Sequence, residues 1–324
     1  MMRLNAVILG ASGLVGQRLQ QRLAGHPWFE VTAIAGSPET AGLHHSQVEW
    51  RLDGDKPTFD LSICSMDSIP DADIAFSALP SDIALQVEPR LVERGISVFS
   101  NASAFRRVDG IPLVIPEVNP AELEGFNGHI CATNCTVVPV VMPLAGLRNH
   151  LKSVEISTSQ ALSGAGWRLL FDEDALSGDV DPFIPEEEEK LIAEFKHLLD
   201  IEIPVSANCN RVAHKDGHLV HVKAILDSNF SLEEIKEKMI VEHLDLPSSP
   251  ENGIVITDDC PRRNKHLWAG GAGLGAGMST VVGDIHVEGD ILSFSALSHN
   301  TVRGAAGGVI LLAEFAHAQG YISK

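Results

Sequence analysis

The chain has 324 residues, of which 44% are hydrophobic and 21% are charged, and its formal net charge is −19. This composition excludes a collagen-like, low-complexity or disulfide-scaffold protein, and the length favours two packed domains. So strong a negative charge disfavours nucleic acids and anionic membrane surfaces as partners.

The N-terminal segment predicts a cytoplasmic protein that neither enters nor crosses a membrane. It begins Met-Met-Arg and runs into a strand-like segment, without the longer apolar region and cleavage site of a signal peptide. The longest apolar stretches, 137–147 and 307–315, are shorter than the ~20 residues that span a bilayer. No zinc-ligand spacing connects the cysteines, so we expect reduced thiols and no metal site.

A strand, a glycine-rich turn, a helix and a second strand open the chain. The strands are expected at 5–9 and 31–35, the glycine-rich turn at 10–16 and the helix at 17–24. Glycines at a strand–helix junction let the backbone approach a pyrophosphate, and the helix N-terminus offers it N–H groups. In this context the G-A-S-G-L-V-G variant predicts a dinucleotide-binding βαβ unit.

Apolar segments extend a parallel sheet to about residue 130, with a helix at 83–93 between them; they lie at 74–78, 98–100 and 113–115. The character changes after residue 135. Longer strands, several of them alternating, predict a mixed or antiparallel sheet; they lie at 153–159, 218–226, 279–287 and 291–297. The small-residue-rich segment 301–319 reads as a helix that packs on the first domain.

We therefore predict an α/β protein with two domains. A Rossmann-type dinucleotide-binding domain covers residues 1–134, and an α+β catalytic and dimerisation domain with a mixed sheet covers 135–299. Residues 300–324 form a C-terminal helix that returns to the first domain.

Cys135 is a candidate nucleophile because it comes just before an apolar helical stretch at 140–147. A helix start favours the thiolate over the thiol, although a buried, inert cysteine is an equal alternative. Residues 160–166 form a strand end and a glycine-rich turn that suits an anion or an oxyanion, or is simply a tight turn. Arg211 and His218 flank a turn at Asp216-Gly217, so a hairpin would direct an arginine for a carboxylate and a histidine base into one cleft.

Eight motifs in order resemble those of the aspartate-β-semialdehyde dehydrogenase family, in its archaeal and fungal-like branch. The resemblance covers nearly the whole chain. The motifs are G-A-S-G-L-V-G (10–16), S-N-A with Arg106 (100–106), I-P-E-V-N-P (115–120), N-C-T (134–136), Q-A-L-S-G-A-G (160–166), E-E-E-K (187–190), N-R-V with G-H (210–218) and S-H-N-T-V-R-G-A-A-G (298–307).

The resemblance implies a cytoplasmic enzyme of lysine, threonine and methionine biosynthesis that interconverts L-aspartate 4-semialdehyde plus phosphate and 4-aspartyl phosphate. The reaction is reversible, depends on NADP with NAD as the alternative, and passes through a cysteine thioester. The partners implied are a small-molecule substrate, phosphate and further copies of the chain in a homodimer or homotetramer.

The resemblance also assigns roles to residues. Cys135 would be the nucleophile, His218 the acid/base and Gln160 the group that orients the substrate. Substrate and phosphate would be bound by Arg106, Asn134, Glu187, Lys190 and Arg211. The cofactor would be bound by Gly10, Ser12, Gly13, Leu14, Val15, Ser37, Ser163, Gly164 and Asn300.

The segment after the second strand departs from the family pattern. Glu39 stands where relatives often carry a basic residue for the 2′-phosphate of NADP, and Leu43 stands at a lysine position. A carboxylate there repels a 2′-phosphate and accepts hydrogen bonds from a free ribose 2′-hydroxyl. Two further alternatives are a CoA-dependent acyl reductase on the same scaffold, such as a malonyl-CoA reductase, and a non-catalytic nucleotide-binding paralogue.

Overall fold

The computed structural model describes residues 3–322, which divide into two compact units. One unit contains the chain up to Pro116, residues 120–133 and the chain from Ala305 onward. The other contains residues 117–119 and 134–304. The first two residues of the predicted range 1–134 and the last two of 300–324 lie outside the described residues.

The helices of the described chain vary from one turn to more than three. They are α1 (Leu14–Leu23), α2 (Ser81–Glu93), α3 (Val138–Leu144), α4 (Trp167–Leu170), α5 (Glu173–Ser177), α6 (Glu187–Leu199), α7 (Leu232–Met239), α8 (Arg263–His266) and α9 (Gly307–Ala318).

The first unit is built on a parallel six-stranded sheet. Its strands are β1 (Leu4–Leu9), β2 (Phe29–Gly36), β3 (Ile63–Ser65), β4 (Ile74–Ser77), β5 (Ser97–Ser100) and β6 (His129–Cys131). They lie in the order β3-β2-β1-β4-β5-β6, and every neighbouring pair is parallel. The order reverses between β1 and β4, which is where such sheets bind ligands at their carboxyl ends.

Aromatic and aliphatic side chains form the core of this unit. Phe29, Phe76 and Phe99 are fully buried and belong to one hydrophobic cluster with Ile310 and Leu312 of α9. Each such side chain contributes about 1.5–3 kcal/mol through burial. The C-terminal helix therefore completes the core of the first unit.

The second unit is built on a mixed six-stranded sheet, as predicted. Its strands are β7 (Leu151–Gln160), β8 (Val205–Arg211), β9 (His218–Leu226), β10 (Ile254–Ile256), β11 (Thr280–Glu288) and β12 (Ile291–Ser298). Their order is β10-β11-β12-β9-β7-β8. The two outer pairs are parallel and the three inner pairs are antiparallel.

Two expectations about strands are wrong. Residues 113–115 do not form a strand: only Leu113 bridges to Cys131, because Pro116 has no N–H to continue a ladder. Arg211 and His218 do not flank a hairpin either. They end β8 and begin β9, and β7 lies between those two strands.

All four predicted helices differ from the structure in their bounds. Those expected at 17–24 and 83–93 are α1 and α2, which begin three and two residues earlier. The helix expected at 140–147 is α3, which begins at Val138 and ends at Leu144. Pro143 lacks the N–H that would continue the α-helix, and a 3-10 helix follows. The segment 301–319 begins with a π-helix, Val302–Ala306, and continues as α9. Within residues 3–322 no helix is both long and apolar enough to span a membrane.

Candidate active site

Cys135 lies in the turn that precedes α3. The Asn134 carbonyl accepts the N–H of Val137 at 3.1 Å, and the Asn134 side chain accepts the N–H of Thr136 at 2.9 Å. These two bonds hold the turn around Cys135, whose side chain is half-buried. By contrast, burial raises the pKa of the Cys209 thiol to about 11, which makes Cys209 a poor nucleophile.

His218 contacts the thiol directly. Its Nε2 lies 3.3 Å from Cys135 Sγ, although the two residues are 83 positions apart in the chain. The other ring nitrogen, Nδ1, accepts the backbone N–H of Ala161 at 3.1 Å. The ring is completely buried. Burial first, and then the positive charges of Arg211 and Arg263, lower the pKa of His218 well below its usual value, so the ring is neutral.

Glu187, in the first turn of α6, connects three other site residues. Its Oε1 accepts hydrogen bonds from Gln160 Nε2 at 2.9 Å, Asn134 Nδ2 at 3.1 Å and Thr136 Oγ1 at 3.1 Å. Gln160 is the last residue of β7, and Asn134 and Thr136 flank the candidate nucleophile. Glu187 thus joins helix, strand and nucleophile turn through a single oxygen.

Arg211 belongs to the same network. It is buried, and its Nη1 donates to the Ala161 carbonyl at 2.7 Å, one peptide group from the bond that holds His218. Burial lowers its pKa, and the negative charges of Cys135 and Glu187 raise it. A Cβ on Gly164 would lie 2.8 Å from Arg211 Nη1 and 3.2 Å from His218 Nε2, so glycine keeps the space beside both groups open.

The two other cations proposed for phosphate belong to different units. Lys190 is on α6, one turn after Glu187, and forms an ion pair with Glu186 at 3.1 Å. Arg106 belongs to the first unit, follows a short 3-10 helix and donates from Nη2 to the Asn101 carbonyl at 2.7 Å.

The glycine-rich turn has the geometry of a pyrophosphate-binding loop. Gly10 has φ +77°, and a Cβ there would lie 2.6 Å from the Ala78 carbonyl oxygen. A Cβ on Gly16 would lie 2.1 Å from the Gly10 oxygen, so helix α1 packs tightly on the turn. Within the described chain, no side chain caps α1 and no acid occupies its first turn. Its N–H groups, on the turn that carries Ser12, Gly13, Leu14 and Val15, therefore suit an anion.

Of the other proposed cofactor residues, Ser37 follows β2 in the first unit, while Ser163 and Asn300 are in the second. Asn300 Nδ2 donates to Ser163 Oγ at 2.7 Å, and Asn300 Oδ1 accepts the Gly217 N–H at 2.8 Å. Asn300 thereby ties the glycine-rich turn after β7 to the turn before His218.

The structure adds two residues that sequence reasoning missed. Glu194 is buried on α6, two turns after Glu187, and accepts the Asn134 N–H at 2.6 Å; the helical spacing 187–191–194 is a signal for it. Arg263 donates to the Gly217 carbonyl and the Ser159 carbonyl, both at 2.9 Å. No pattern around Pro261-Arg262-Arg263 identifies it.

Comparisons with known proteins give the family. Residues 5–126 match the model of the semialdehyde dehydrogenase NAD-binding domain, and residues 143–303 match that of the semialdehyde dehydrogenase dimerisation domain. An aspartate-semialdehyde dehydrogenase of Archaeoglobus fulgidus is 41% identical, over 97% of this chain and 98% of its own length. A malonyl-CoA reductase (NADP) of Metallosphaera sedula is 32% identical, over 99% of each chain.

A crystal structure of aspartate-semialdehyde dehydrogenase with NADP from Candida albicans has a TM-score of 0.83 and 29% identity, and the match covers 99% of this chain and 100% of that one. Both domain models and these full-length matches agree with the motifs read from the sequence. The chain therefore belongs to the aspartate-semialdehyde dehydrogenase family, a family of NAD(P)-dependent aldehyde dehydrogenases.

Proposed function

We propose that the protein interconverts L-aspartate 4-semialdehyde plus phosphate and 4-aspartyl phosphate, in lysine, threonine and methionine biosynthesis, with Cys135 as the nucleophile. The observation that carries this proposal is the 3.3 Å contact between Cys135 Sγ and His218 Nε2. A thiol beside an imidazole is the arrangement that covalent aldehyde oxidation requires.

An α-amino acid substrate matches the charges beside this pair. Within residues 3–322, no carboxylate forms an ion pair with Arg211, and its Nη1 bond to Ala161 leaves other guanidinium N–H groups for a substrate carboxylate. Glu187 uses only Oε1 in its three bonds, so Oε2 remains for a substrate ammonium group.

The chemistry at Cys135 proceeds in two covalent steps. The thiolate attacks the aldehyde carbon and forms a tetrahedral thiohemiacetal, which becomes a thioester when the hydride leaves. The nicotinamide, when bound, supplies the hydride acceptor. A phosphate oxygen then attacks the thioester carbonyl and releases the thiolate. We assign the binding of that phosphate to Arg106 and Lys190.

The glycine-rich turn fits a dinucleotide, and we infer that NADP is used with NAD as an alternative. Glu39 follows β2 in an exposed turn, where a hydrogen bond from the Ser37 hydroxyl lowers the pKa of its carboxyl group. The carboxylate is therefore ionised at neutral pH and disfavours a 2′-phosphate, which is why NAD is the alternative.

Glu39→Arg should raise the ratio of kcat/KM for NADP to that for NAD by about tenfold or more, since a guanidinium binds the phosphate that a carboxylate repels. Dissociation constants of the two cofactors, measured without substrate, should move the same way. Asp55→Arg makes the same charge change at another exposed position of this unit. An unchanged ratio in Glu39→Arg, or an equal change in Asp55→Arg, would count against this assignment.

The test of function is the assay of purified protein with aspartate 4-semialdehyde, phosphate and either NADP or NAD. Reduced cofactor should form over repeated turnovers only when phosphate is present. Malonyl-CoA with reduced cofactor tests the CoA-dependent alternative, and its reduction to malonate semialdehyde with release of free CoA would overturn the proposal. The Arg211 and Glu187 arrangement favours the amino acid substrate.

Cys135→Ser separates an enzyme from a nucleotide-binding paralogue. The variant should lose turnover and keep cofactor binding, because the serine hydroxyl is a far weaker nucleophile than the thiolate. With phosphate withheld, substrate and oxidised cofactor should add the acyl mass to the wild-type peptide that contains Cys135. Full activity of the serine variant would exclude the thioester route.

We further propose that the protein forms a homodimer or homotetramer and acts in the cytoplasm. The match of residues 143–303 to a dimerisation domain supports self-association. Light scattering of the purified chain tests it, and a monomer at assay concentrations would contradict it.

A further inference from the structure

A short segment of the first unit, residues 49–51, is fastened to the glycine-rich turn. Gln17 is buried on α1, accepts the Arg51 N–H at 2.8 Å and donates to the Glu49 carbonyl at 2.7 Å. The Arg51 side chain then reaches the turn itself, because its Nη1 donates to the Ser12 carbonyl at 3.1 Å. A guanidinium group is therefore held at the turn that we expect to bind the dinucleotide.

The same part of the turn contacts the end of β2. The N–H groups of Gly10 and Ala11 both donate to the Ala35 carbonyl at 3.0 Å. In sheets of this kind, the residues that follow β2 recognise the 2′ position of the adenosine ribose, and an arginine nearby accommodates a 2′-phosphate. Arg51 contacts the residue that follows Ala11, so its charge lies where the turn and the end of β2 meet.

Arg51 is also the first lysine or arginine after β2, since residues 37–50 contain neither. The next basic side chain is Lys56, whose Nζ donates to the backbone carbonyls of His45 and Val48. The charge of Lys56 thus serves the backbone of its own segment. Arg51 is the cation of this stretch that contacts the glycine-rich turn.

We propose that Arg51 binds the 2′-phosphate of NADP and allows NADP to be used despite the carboxylate of Glu39. This inference rests on the proposed function, because it concerns the cofactor of that reaction. A guanidinium group binds phosphate through paired N–H donors. The N–H groups at the start of α1 suit the pyrophosphate, which NADP and NAD share. Arg51 therefore determines the preference between the two cofactors and not the affinity for both.

Glu49 competes with the phosphate for Arg51. Its Oε2 lies 2.7 Å from Arg51 Nη2, and its side chain is 72% exposed whereas that of Arg51 is 15% exposed. The carboxylate can rotate into solvent while the guanidinium group stays on the turn. An ion pair with so exposed a partner is weak, and a phosphate carries more negative charge than a carboxylate. The phosphate thus replaces Glu49 as the partner of Nη2.

Arg51→Met tests the assignment, because it keeps an apolar stem and removes the charge. The probes are adenosine 2′,5′-bisphosphate and adenosine 5′-monophosphate, which differ only in the 2′-phosphate. By titration calorimetry we expect the Kd of the bisphosphate to rise about tenfold or more and that of the monophosphate to stay within about twofold. Arg51→Lys, which keeps the charge, should restore part of the difference.

Arg90→Met is the matched control. It removes an arginine of α2 in the same unit, where Arg90 pairs with the exposed Asp67, and should change neither Kd. An equal rise of both Kd values in Arg51→Met would mean that Arg51 only supports the turn, and would overturn the proposal.

Glu49→Gln provides a second test, in which a gain of affinity is expected. Without the competing carboxylate, the bisphosphate should bind about two- to fivefold more tightly, and the monophosphate should bind as before. A damaged fold does not produce such a gain. Unchanged or weaker binding of the bisphosphate would contradict the proposal.

Both probes lack the nicotinamide, so these measurements do not depend on turnover. If the wild type fails to oxidise aspartate semialdehyde, the proposed function fails, and the two Kd values still decide the role of Arg51. If the wild type is active but binds both probes equally well, the role of Arg51 is refuted and the proposed function stands.

Discussion

At the scale of single residues, Glu187 is the most connected side chain of the site. One of its oxygens accepts three hydrogen bonds, from the nucleophile turn and from the end of β7. Hydrogen bonds to a charged group contribute about 1.5–3 kcal/mol each to stability, so these three bonds hold their donors in place. The carboxylate therefore orients Gln160 and Asn134 and, in the proposed function, offers a negative charge to the substrate.

Glu187→Gln separates these two contributions. The amide oxygen still accepts hydrogen bonds, but the charge is lost, so we expect KM for aspartate semialdehyde to rise about tenfold or more while kcat changes less. Glu187→Ala should lower kcat as well, by about 10²-fold, because the hydrogen bonds that orient Gln160 and Asn134 are also lost. Glu189→Gln, at an exposed position of the same helix, is the control. An unchanged KM in Glu187→Gln would show that this carboxylate does not meet the substrate.

At the scale of elements, a π-helix supports Cys135, the proposed nucleophile. Residues Val302–Ala306 form it directly before α9, and π-helical turns often occur at functional sites. Arg303, in this turn, forms a buried ion pair with Glu117 at 2.9 Å. This pair joins two of the sequence motifs, 115–120 and 298–307, and fixes the turn from which Gly304 contacts Cys135.

Gly304→Ala should displace the nucleophile. A Cβ at Gly304 would lie 2.5 Å from Cys135 Cβ and 2.8 Å from its Cα, closer than atoms in contact can approach. We expect kcat to fall by about 10²-fold, since displacements near 1 Å have such effects, and cofactor binding to persist. Gly125→Ala, where the new Cβ meets only Pro112 at 3.5 Å, is the control. Wild-type kcat in Gly304→Ala would mean that the turn around Cys135 adjusts without cost.

The sequence predicts individual strands and turns better than it predicts which strands pair with each other in a sheet. The strand 218–226 and the glycine-rich turn follow from local pattern alone. The expected hairpin between Arg211 and His218 fails because strand order is not local: β7, from 50 residues earlier, pairs between β8 and β9. Short strands such as β3 and β10 have three residues each, too few for a recognisable period.

The same limit applies to the candidate site. Motifs predict Cys135 and His218 as chemical groups, and the structure places them 3.3 Å apart. The Ala161 N–H that donates to His218 Nδ1 is a backbone group, and no side-chain pattern predicts such a contact. Glu194 stands alone between Ala193 and Phe195, and its contact with the turn around Cys135 follows only from the orientation of α6.

At the scale of the whole molecule, each unit contains a histidine that is buried and neutral. His218 is one, in the second unit. His45, in the first, bonds Gln20 Oε1 at 2.7 Å, and burial, followed by the charges of Lys56 and His44, lowers its pKa to about 4. In the unfolded chain these histidines have ordinary pKa values near 6.5. As the pH falls below that value, the unfolded chain therefore binds protons at these two histidines that the folded protein does not bind.

The fold should therefore lose stability as the pH falls below about 6.5, with His45 contributing down to about pH 4. The sign follows from proton uptake by the unfolded chain. Above pH ~6.5 these histidines are neutral in both the folded and the unfolded state. Below it, each histidine that is protonated only in the unfolded chain lowers the free energy of unfolding by at most about 1.4 kcal/mol per pH unit. Urea unfolding of wild type and His45→Gln between about pH 7 and pH 5 measures this, and the wild type should lose more stability than the variant as the pH falls.

His286→Gln, which changes an exposed ring beside Asp284, should keep the wild-type dependence of stability on pH. Equal slopes for wild type and His45→Gln would mean that His45 takes up its proton in the folded protein as readily as in the unfolded chain.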